Sequence, residues 1–137
     1  MILEMNLPWP PSVNHYKKVG RIVKTKNGKL YQQRKNTDET KKFYFDVYIL
    51  YKHLNASEWL KFADSETISF DVRVYLYPPN TCRYDIDNQL KVLLDSLTRA
   101  KVIKDDSQIT RLYVEKCNIM EHGKVLVRIQ EIVNAHQ

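Results

Sequence analysis

The most informative stretch of this sequence is YDIDNQLK, residues 84–91. In it Asp85 and Asp87 stand just before a segment whose apolar residues recur at regular intervals. After Asn88 the apolar side chains recur at the spacing of one helical face, which predicts a helix as far as Ala100. Its expected buried positions are Leu90, Leu93, Leu94 and Leu97. Asp85 or Asp87 can accept hydrogen bonds from the free N–H groups of the first turn, where the helix dipole also favours negative charge.

The same stretch offers a set of chemically useful side chains. Asp87 and Lys91 are four residues apart and so lie on one flank of a helix, and an extended chain turns Asp85 to the same side as Asp87. Two carboxylates held this close repel each other unless a cation lies between them, and oxygen ligands without His or Cys favour a hard ion such as Mg²⁺. Simple capping, with Lys91 paired to Asp87 or Asp95, explains the same residues without a metal.

A second acidic pair, Asp105-Asp106, follows the helix after the short apolar stretch Val102-Ile103. If the chain folds back into a strand from Ile109, this pair lies in a turn. The spacing does not determine whether that turn returns to Asp85 and Asp87. A turn by itself also accounts for Asp-Asp-Ser, so both interpretations stay open.

Taken together, these motifs resemble a known family. The match consists of D-I-D-N at residues 85–88, Lys91 and Asp95 at intervals of four, L-T-R-A at residues 97–100, D-D-S-Q-I at residues 105–109, and the opening L-P-W-P-P-S-V-N at residues 7–14. In this order and spacing they resemble the RusA family of Holliday junction resolvases, over most of the chain. D-x-D alone is a weak signal, but the combination is specific.

The resemblance implies a small homodimeric endonuclease, dependent on Mg²⁺ with Mn²⁺ as a substitute, that resolves four-way DNA junctions by paired symmetric nicks during recombination and repair. It implies that Asp85, Asp87 and Asp106 are catalytic and ligate the metal, and that Lys91 is the catalytic lysine. One departure concerns the segment just before D-x-D, which is rich in arginine in the family. Here residues 80–84 keep only Arg83, so this loop has fewer cations to hold a junction than the family's pattern implies.

Positive charge is concentrated in one segment. The chain has 22 basic and 16 acidic residues, a net charge of +6, yet residues 12–37 hold eight basic residues and no acidic one. The rest of the chain therefore has a net charge of −2. A segregated basic surface suits a phosphate backbone, although a solvated lysine-rich loop is the simpler explanation. The predicted DNA-binding residues are Asn14, Tyr16, Lys17, Lys18, Arg21, Lys24, Lys26, Lys29 and Arg83.

Within this basic segment, residues 21–31 predict a β-hairpin, because Ile22-Val23 and Leu30-Tyr31 flank the dipeptide Asn27-Gly28. Asn-Gly favours a two-residue type I′ turn. A two-stranded ribbon is marginally stable alone, which is compatible with a flexible basic flap that becomes ordered on a partner.

The remaining patterns predict a single α+β domain over residues 1–137, with the basic flap at 12–37 inside it. Alternating apolar residues predict strands at 2–7, 67–77, 108–116 and 124–132, and a helix is expected from Asn36 or Thr37 to Asn55. Asn36 and Glu39 fit a capping box, and Phe43, Val47, Leu50 and Leu54 form its buried stripe together with Tyr44 and Tyr51. The predicted architecture has two layers: a mixed sheet of about four strands with two main helices on one face.

Several other functions find no support in the sequence. No apolar run approaches the length of a membrane span and no signal pattern opens the chain, so a cytoplasmic protein without membrane partners is expected. Cys82 and Cys117 predict free thiols, and no glycine-rich loop predicts a nucleotide cofactor. Two alternatives remain beside the resolvase: a DNA-binding module without catalysis, and a metal-dependent nucleotide phosphohydrolase. Only the first of these requires the basic segment.

Overall fold

The fold is a four-stranded mixed β-sheet with a separate β-hairpin. The computed structural model describes residues 1–14 and 16–133, except for the side chain of Gln33. The strands are β1 Ile2–Leu7, β2 Lys17–Lys24, β3 Leu30–Asn36, β4 Phe70–Tyr77, β5 Ile109–Lys116 and β6 Lys124–Glu131. The helices are α1 Asp38–Leu54, α2 Leu60–Ala63 and α3 Leu90–Arg99, with a 3₁₀ helix at Asp106–Gln108. The predicted α+β class is confirmed.

The sheet has the strand order β1-β6-β4-β5. β6 runs antiparallel to both of its neighbours, so Val127 lies opposite Met5 on one side and Val74 on the other. β4 and β5 are parallel, with Val74 beside Val114. The chain between β4 and β5 therefore crosses over from one end of the sheet to the other, and α3 lies in that connection.

One face of the sheet forms the core. In β4, alternate residues are fully buried while the residues between them remain partly accessible, as the period of two predicts. The buried residues of this face come from three strands: Leu3, Met5 and Leu7; Phe70, Val72, Val74 and Leu76; and Val125, Val127 and Ile129. Val92, Leu93 and Leu97 of α3 complete the same cluster. This packing fixes the position of the loop that precedes α3.

Helix α1 differs from the prediction in two details. Its N-cap is Thr37, whose hydroxyl accepts a hydrogen bond from the Thr40 N–H, so the expected cap at Asn36 is wrong. Its buried stripe is Thr40, Phe43, Val47 and Tyr51. Leu50 and Leu54 are exposed instead, because Leu50 lies to one side of this stripe and Leu54 lies in the last turn.

The basic hairpin exists, but its turn differs from the type I′ prediction. Gly28 has a φ of +81°, whereas Asn27 is not at positive φ, which type I′ requires at both central residues. The Gly28 N–H donates to the Thr25 carbonyl at 3.0 Å and the Thr25 N–H donates to the Lys29 carbonyl at 2.8 Å. This is a three-residue loop closed by a left-handed glycine, and its strands extend further than predicted.

The structure also bears on two expectations, that the cysteines form no disulfide and that no segment spans a membrane. Both cysteines are free thiols, Cys82 exposed and Cys117 partly buried, as predicted. Among the described residues, no helix is both long and apolar enough to cross a membrane.

Candidate active site and nucleic-acid interface

Asp85 and Asp87 lie in the loop between β4 and α3. Successive backbone turns shape this loop: the Asn88 N–H donates to the Asp85 carbonyl at 3.0 Å, and the Leu90 N–H donates to the Asp87 carbonyl at 3.1 Å. Both side chains are exposed. The N-cap of α3 is Gln89, without a side-chain capping bond, so the expected carboxylate cap is wrong. Within the described residues neither carboxylate has a side-chain partner, which leaves both available to a ligand.

Lys91 stands in the first turn of α3. Of the two pairings that the sequence allowed, the structure has the one with Asp95, at 3.3 Å between Nζ and Oδ1. The hydrogen bond and the charge of Asp95 raise the pKa of Lys91 above its usual value, burial lowers it slightly, and Asp106 raises it further. The side chain is still 55% exposed. Lys91 is therefore paired with Asp95 and still open to approach by a ligand.

The second acidic pair returns to the same end of the molecule. The 3₁₀ helix that begins at Asp106 packs against α3, and the charge of Asp106 acts on Lys91. Asp105 is used within the turn: its carboxylate accepts a hydrogen bond from the Ser107 hydroxyl, and its N–H donates to the Gln108 side chain at 3.0 Å. The Ser107 hydroxyl lowers the pKa of Asp105. Asp105 thus has a structural partner, and Asp106 is the member of the pair near Lys91.

The N-terminal loop joins the basic hairpin to this site. The Val13 N–H donates to the Asn88 carbonyl at 2.6 Å, which attaches the loop directly beside Asp87. Three residues later, Tyr16 accepts a backbone hydrogen bond from Thr37 and is close enough to Lys91 to affect its pKa. The hairpin starts at the next residue, so its base lies next to the candidate active site.

The predicted DNA-binding cations are arranged along this hairpin. Four of them lie in β2, one in the turn and one just before β3. All six are exposed, and no ion pair involves any of them within residues 1–14 and 16–133. They are Lys17, Lys18, Arg21, Lys24, Lys26 and Lys29. Their contact with DNA stays a prediction, as does that of Asn14, Tyr16 and Arg83.

The donor set suits a hard divalent cation in its chemistry. Asp85, Asp87 and Asp106 supply only oxygen atoms, and all three side chains are exposed. Among the described residues, however, no three His, Cys, Asp or Glu side chains are grouped closely enough to hold a metal ion. The metal ligands therefore remain a prediction.

Sequence analysis missed a pocket beside this loop. It has a volume of about 340 Å³, and Trp9, Tyr84 and Gln89 are among its lining residues. Gln89 is only 4% exposed. The available signal was that Gln89 stands four residues before Leu93 and eight before Leu97, so a polar residue occupies a position of the apolar stripe.

Comparison with known proteins agrees with this arrangement of motifs. The family profile described as Endodeoxyribonuclease RusA matches residues 8–130, which is most of the chain. The chain belongs to the RusA family. The match includes the hairpin, the loop of Asp85 and Asp87, Asp106 and nearly all of β6.

Individual RusA relatives match over almost their whole length. The chain is 29% identical over 135 residues to the crossover junction endodeoxyribonuclease RusA of Escherichia coli K12, with 95% of each chain covered. It is 29% identical over 133 residues to the protein of the same name from Escherichia coli O139:H28, with 93% of each covered. A relative from Enterobacteria phage HK97 is 29% identical over 126 residues, with 92% of each covered.

Proposed function

We propose that this chain is a crossover junction endodeoxyribonuclease that resolves four-way DNA junctions. The observation that carries the proposal is the meeting of two chemically different surfaces at one place. Asp85 and Asp87 stand exposed without side-chain partners in the loop before α3, Asp106 acts on Lys91 in the first turn of that helix, and the hairpin with its exposed cations begins just after Tyr16, which also acts on Lys91. Membership in a family whose relatives carry this name supports the same conclusion.

In this proposal Asp85, Asp87 and Asp106 hold Mg²⁺, with Mn²⁺ as a substitute. When bound, such an ion would activate a water molecule and neutralise charge on the phosphate. Lys91 stabilises the negative charge that develops on the scissile phosphate. Asp95 supports this role because its hydrogen bond raises the pKa of Lys91 and so keeps the amine protonated.

The basic hairpin holds the DNA. Its exposed cations contact backbone phosphates, which supplies affinity without base specificity. Asn14 follows Val13, which is bonded to Asn88, Tyr16 acts on Lys91, and Arg83 stands two residues before Asp85. These three residues would position the strand at the cutting site. A homodimer with two-fold symmetry would present two such sites to one junction, which gives a physical reason for paired symmetric nicks during recombination and repair.

The test is cleavage of a synthetic four-way DNA junction in Mg²⁺, beside a linear duplex of the same sequence. We expect paired nicks in the junction only, and loss of cutting with retained binding in Asp87→Asn. Asp64→Asn makes the same change at an exposed residue at the end of α2 and should cut like the parent protein.

Other results would identify a different function. Binding of the junction without any cut, in Mg²⁺ or Mn²⁺, would favour a non-catalytic DNA-binding module. Weak binding of long DNA with hydrolysis of nucleotides would favour a phosphohydrolase. Equal cutting by Asp87→Asn and the parent would remove Asp87 from the active site.

A further inference from the structure

Strand β5 ends on a lysine that lies on the core side of the sheet. In the parallel pairing of β4 with β5, Val74 lies beside Val114 and Leu76 beside Lys116. Val74 and Leu76 are fully buried, and residues beside each other in a sheet project to the same face. A charged side chain at an inward-facing position must reach a polar partner or solvent. The partner of Lys116 therefore indicates what this position is used for.

The partner of Lys116 is Tyr84 in the β4–α3 loop. The Nζ of Lys116 donates a hydrogen bond to the Tyr84 carbonyl oxygen at 2.6 Å, and it lies 4.3 Å from the centroid of the Tyr84 ring. A charged donor makes a shorter and stronger hydrogen bond than a neutral one. No ion pair involves Lys116 within residues 1–14 and 16–133. Its ammonium group thus binds the loop rather than a carboxylate of the sheet.

The Tyr84 carbonyl stands directly before the first candidate carboxylate. It belongs to the peptide group that joins Tyr84 to Asp85. One residue further, the Asp85 carbonyl accepts from the Asn88 N–H at 3.0 Å, and the Asn88 carbonyl accepts from the Val13 N–H at 2.6 Å. Hydrogen bonds therefore fix this backbone before and after the two carboxylates. Lys116 makes the first of them with its side chain, so a substitution can remove that bond without changing the loop itself.

The Tyr84 ring provides a second attachment. It meets the Trp9 ring edge to face, with centroids 5.5 Å apart, and it is partly buried against the hydrophobic core. A cation over an aromatic ring is attracted by the negative face of that ring. Lys116 therefore contacts both the backbone and the ring of Tyr84, while Trp9 holds the same ring from the N-terminal loop.

We propose that Lys116 is a positioning residue for the cutting reaction. By holding Tyr84, it sets the backbone that orients the Asp85 and Asp87 side chains, and it does not itself contact DNA. This inference rests on the proposed junction-cutting function. Exposed carboxylates without side-chain partners depend on their backbone for orientation, and a displacement of about 1 Å in a catalytic group can lower a rate about 10²-fold.

The first experiment separates binding from cutting in Lys116→Met, which keeps most of the length of the side chain and removes its charge and donors. We expect single-turnover cutting of a four-way junction in Mg²⁺ to be at least about tenfold slower than with the parent protein. The junction affinity in EDTA, and the salt dependence of that affinity, should stay unchanged. Lys116→Arg restores a charged donor and should recover most of the rate.

Lys124 supplies a matched control. Its Nζ lies 4.9 Å from the centroid of the Tyr77 ring, so it makes the same kind of cation–ring contact between β6 and β4, outside the carboxylate loop. Lys124→Met should therefore cut like the parent protein. The melting temperature of each variant, measured beside the parent, shows that a slower rate does not come from unfolding.

Amide hydrogen exchange, followed by NMR in EDTA, reports on the loop without any cutting. The Asn88 amide, which donates to the Asp85 carbonyl, should exchange severalfold faster in Lys116→Met and at the parent rate in Lys124→Met. The amide of Val74, in the middle of β4, should exchange alike in all variants.

Four results would overturn the inference. Unchanged exchange of Asn88 in Lys116→Met would show that Lys116 does not hold the loop. Parent-like cutting by Lys116→Met, or equally slow cutting by Lys124→Met, would show that this contact has no particular role in the reaction. No recovery in Lys116→Arg would exclude the charged donor as the cause of the loss. Weaker junction binding, with a salt slope reduced by about 0.9, would make Lys116 a phosphate contact instead.

Failure of the proposed function would look different. The parent protein would then cut no junction, and the exchange of the Asn88 amide would still decide whether Lys116 holds the loop.

Discussion

The body of the protein and its basic hairpin are stabilised in different ways. In the body, the inner residues of β4 and β6 are fully buried beneath the helices. In the hairpin, β2 and β3 pair only with each other, and Val19, Ile22 and Leu30 remain 68–70% exposed. A two-stranded ribbon with so little apolar burial is marginally stable. The hairpin therefore contributes little to the fold, and its sequence is free to serve another purpose.

The charge distribution follows the same division. Residues 12–37 hold eight basic and no acidic side chains, while the rest of the chain has a net charge of −2. In the body, several cations are in ion pairs, as Arg128 is with Glu4 at 2.7 Å and Arg111 with Asp71 at 3.4 Å. The cations of the hairpin have no ion pairs among the described residues, which costs stability and suits the proposed binding of a polyanion.

The largest effect on stability should come from a cavity in the body. Leu97→Ala removes a fully buried side chain of α3 and should lower the free energy of unfolding by about 2–5 kcal/mol. Ile22→Ala removes an equally apolar side chain from the hairpin, where it is 68% exposed, and should change that free energy by less than about 0.5 kcal/mol. Urea denaturation followed by circular dichroism measures both. Similar losses in the two variants would mean that the hairpin packs against the body.

Two glycines allow the same substitution to be compared in the hairpin and in the body, with smaller expected effects on stability. Gly28 in the hairpin turn and Gly123 before β6 both have positive φ, +81° and +70°. A Cβ at Gly28 would meet only the Lys24 side chain, at 3.9 Å, whereas a Cβ at Gly123 would come within 2.9 Å of Trp9 and 3.0 Å of Pro79. Gly28→Ala should therefore lower the free energy of unfolding by about 1 kcal/mol, because it adds only backbone strain. Gly123→Ala should lower it by about 2–4 kcal/mol, because the new methyl group also overpacks against Trp9 and Pro79.

Thermal unfolding of the two variants measures this difference. Equal destabilisation by the two substitutions would show that Trp9 and Pro79 move aside without cost.

The body was predictable from sequence because its elements carry strong periodic patterns. The period of two in β4 and the helical spacing in α3 each follow from burial of one face, so residues such as Val74 and Leu93 were assigned correctly. The strand order was not predictable, because nothing local to β5 specifies a parallel neighbour. The return of Asp106 to α3 depends on that crossover and was likewise left open by the spacing.

Local chemistry explains the remaining differences. Carboxylates before a helix usually cap it, but the successive turns at Asp85 and Asp87 leave their side chains exposed and make Gln89 the cap. Asn-Gly usually forms a type I′ turn, but here Thr25 donates a hydrogen bond to Lys29 and accepts one from Gly28, which encloses a three-residue loop. In both places the favoured local motif competes with other backbone arrangements, so the residue types alone do not select one of them. The sequence therefore names candidate site residues, and the geometry of the loop that carries them could not be predicted from it.

The smallest effect on stability, with a clear effect on binding, should come from removing charge from the hairpin. Replacing Lys24, Lys26 and Lys29 by Ala should change the free energy of unfolding by less than about 0.5 kcal/mol, because all three are exposed. It should weaken junction binding and reduce the slope of log K against log salt by up to about 3, since each phosphate contact contributes about 0.9. The control replaces three exposed lysines of the helical region, Lys41, Lys52 and Lys61. Fluorescence anisotropy across a salt series distinguishes the variants. An unchanged slope in the hairpin variant, or an equal reduction in the control, would remove the hairpin from the DNA surface and leave its unpaired charge without a function.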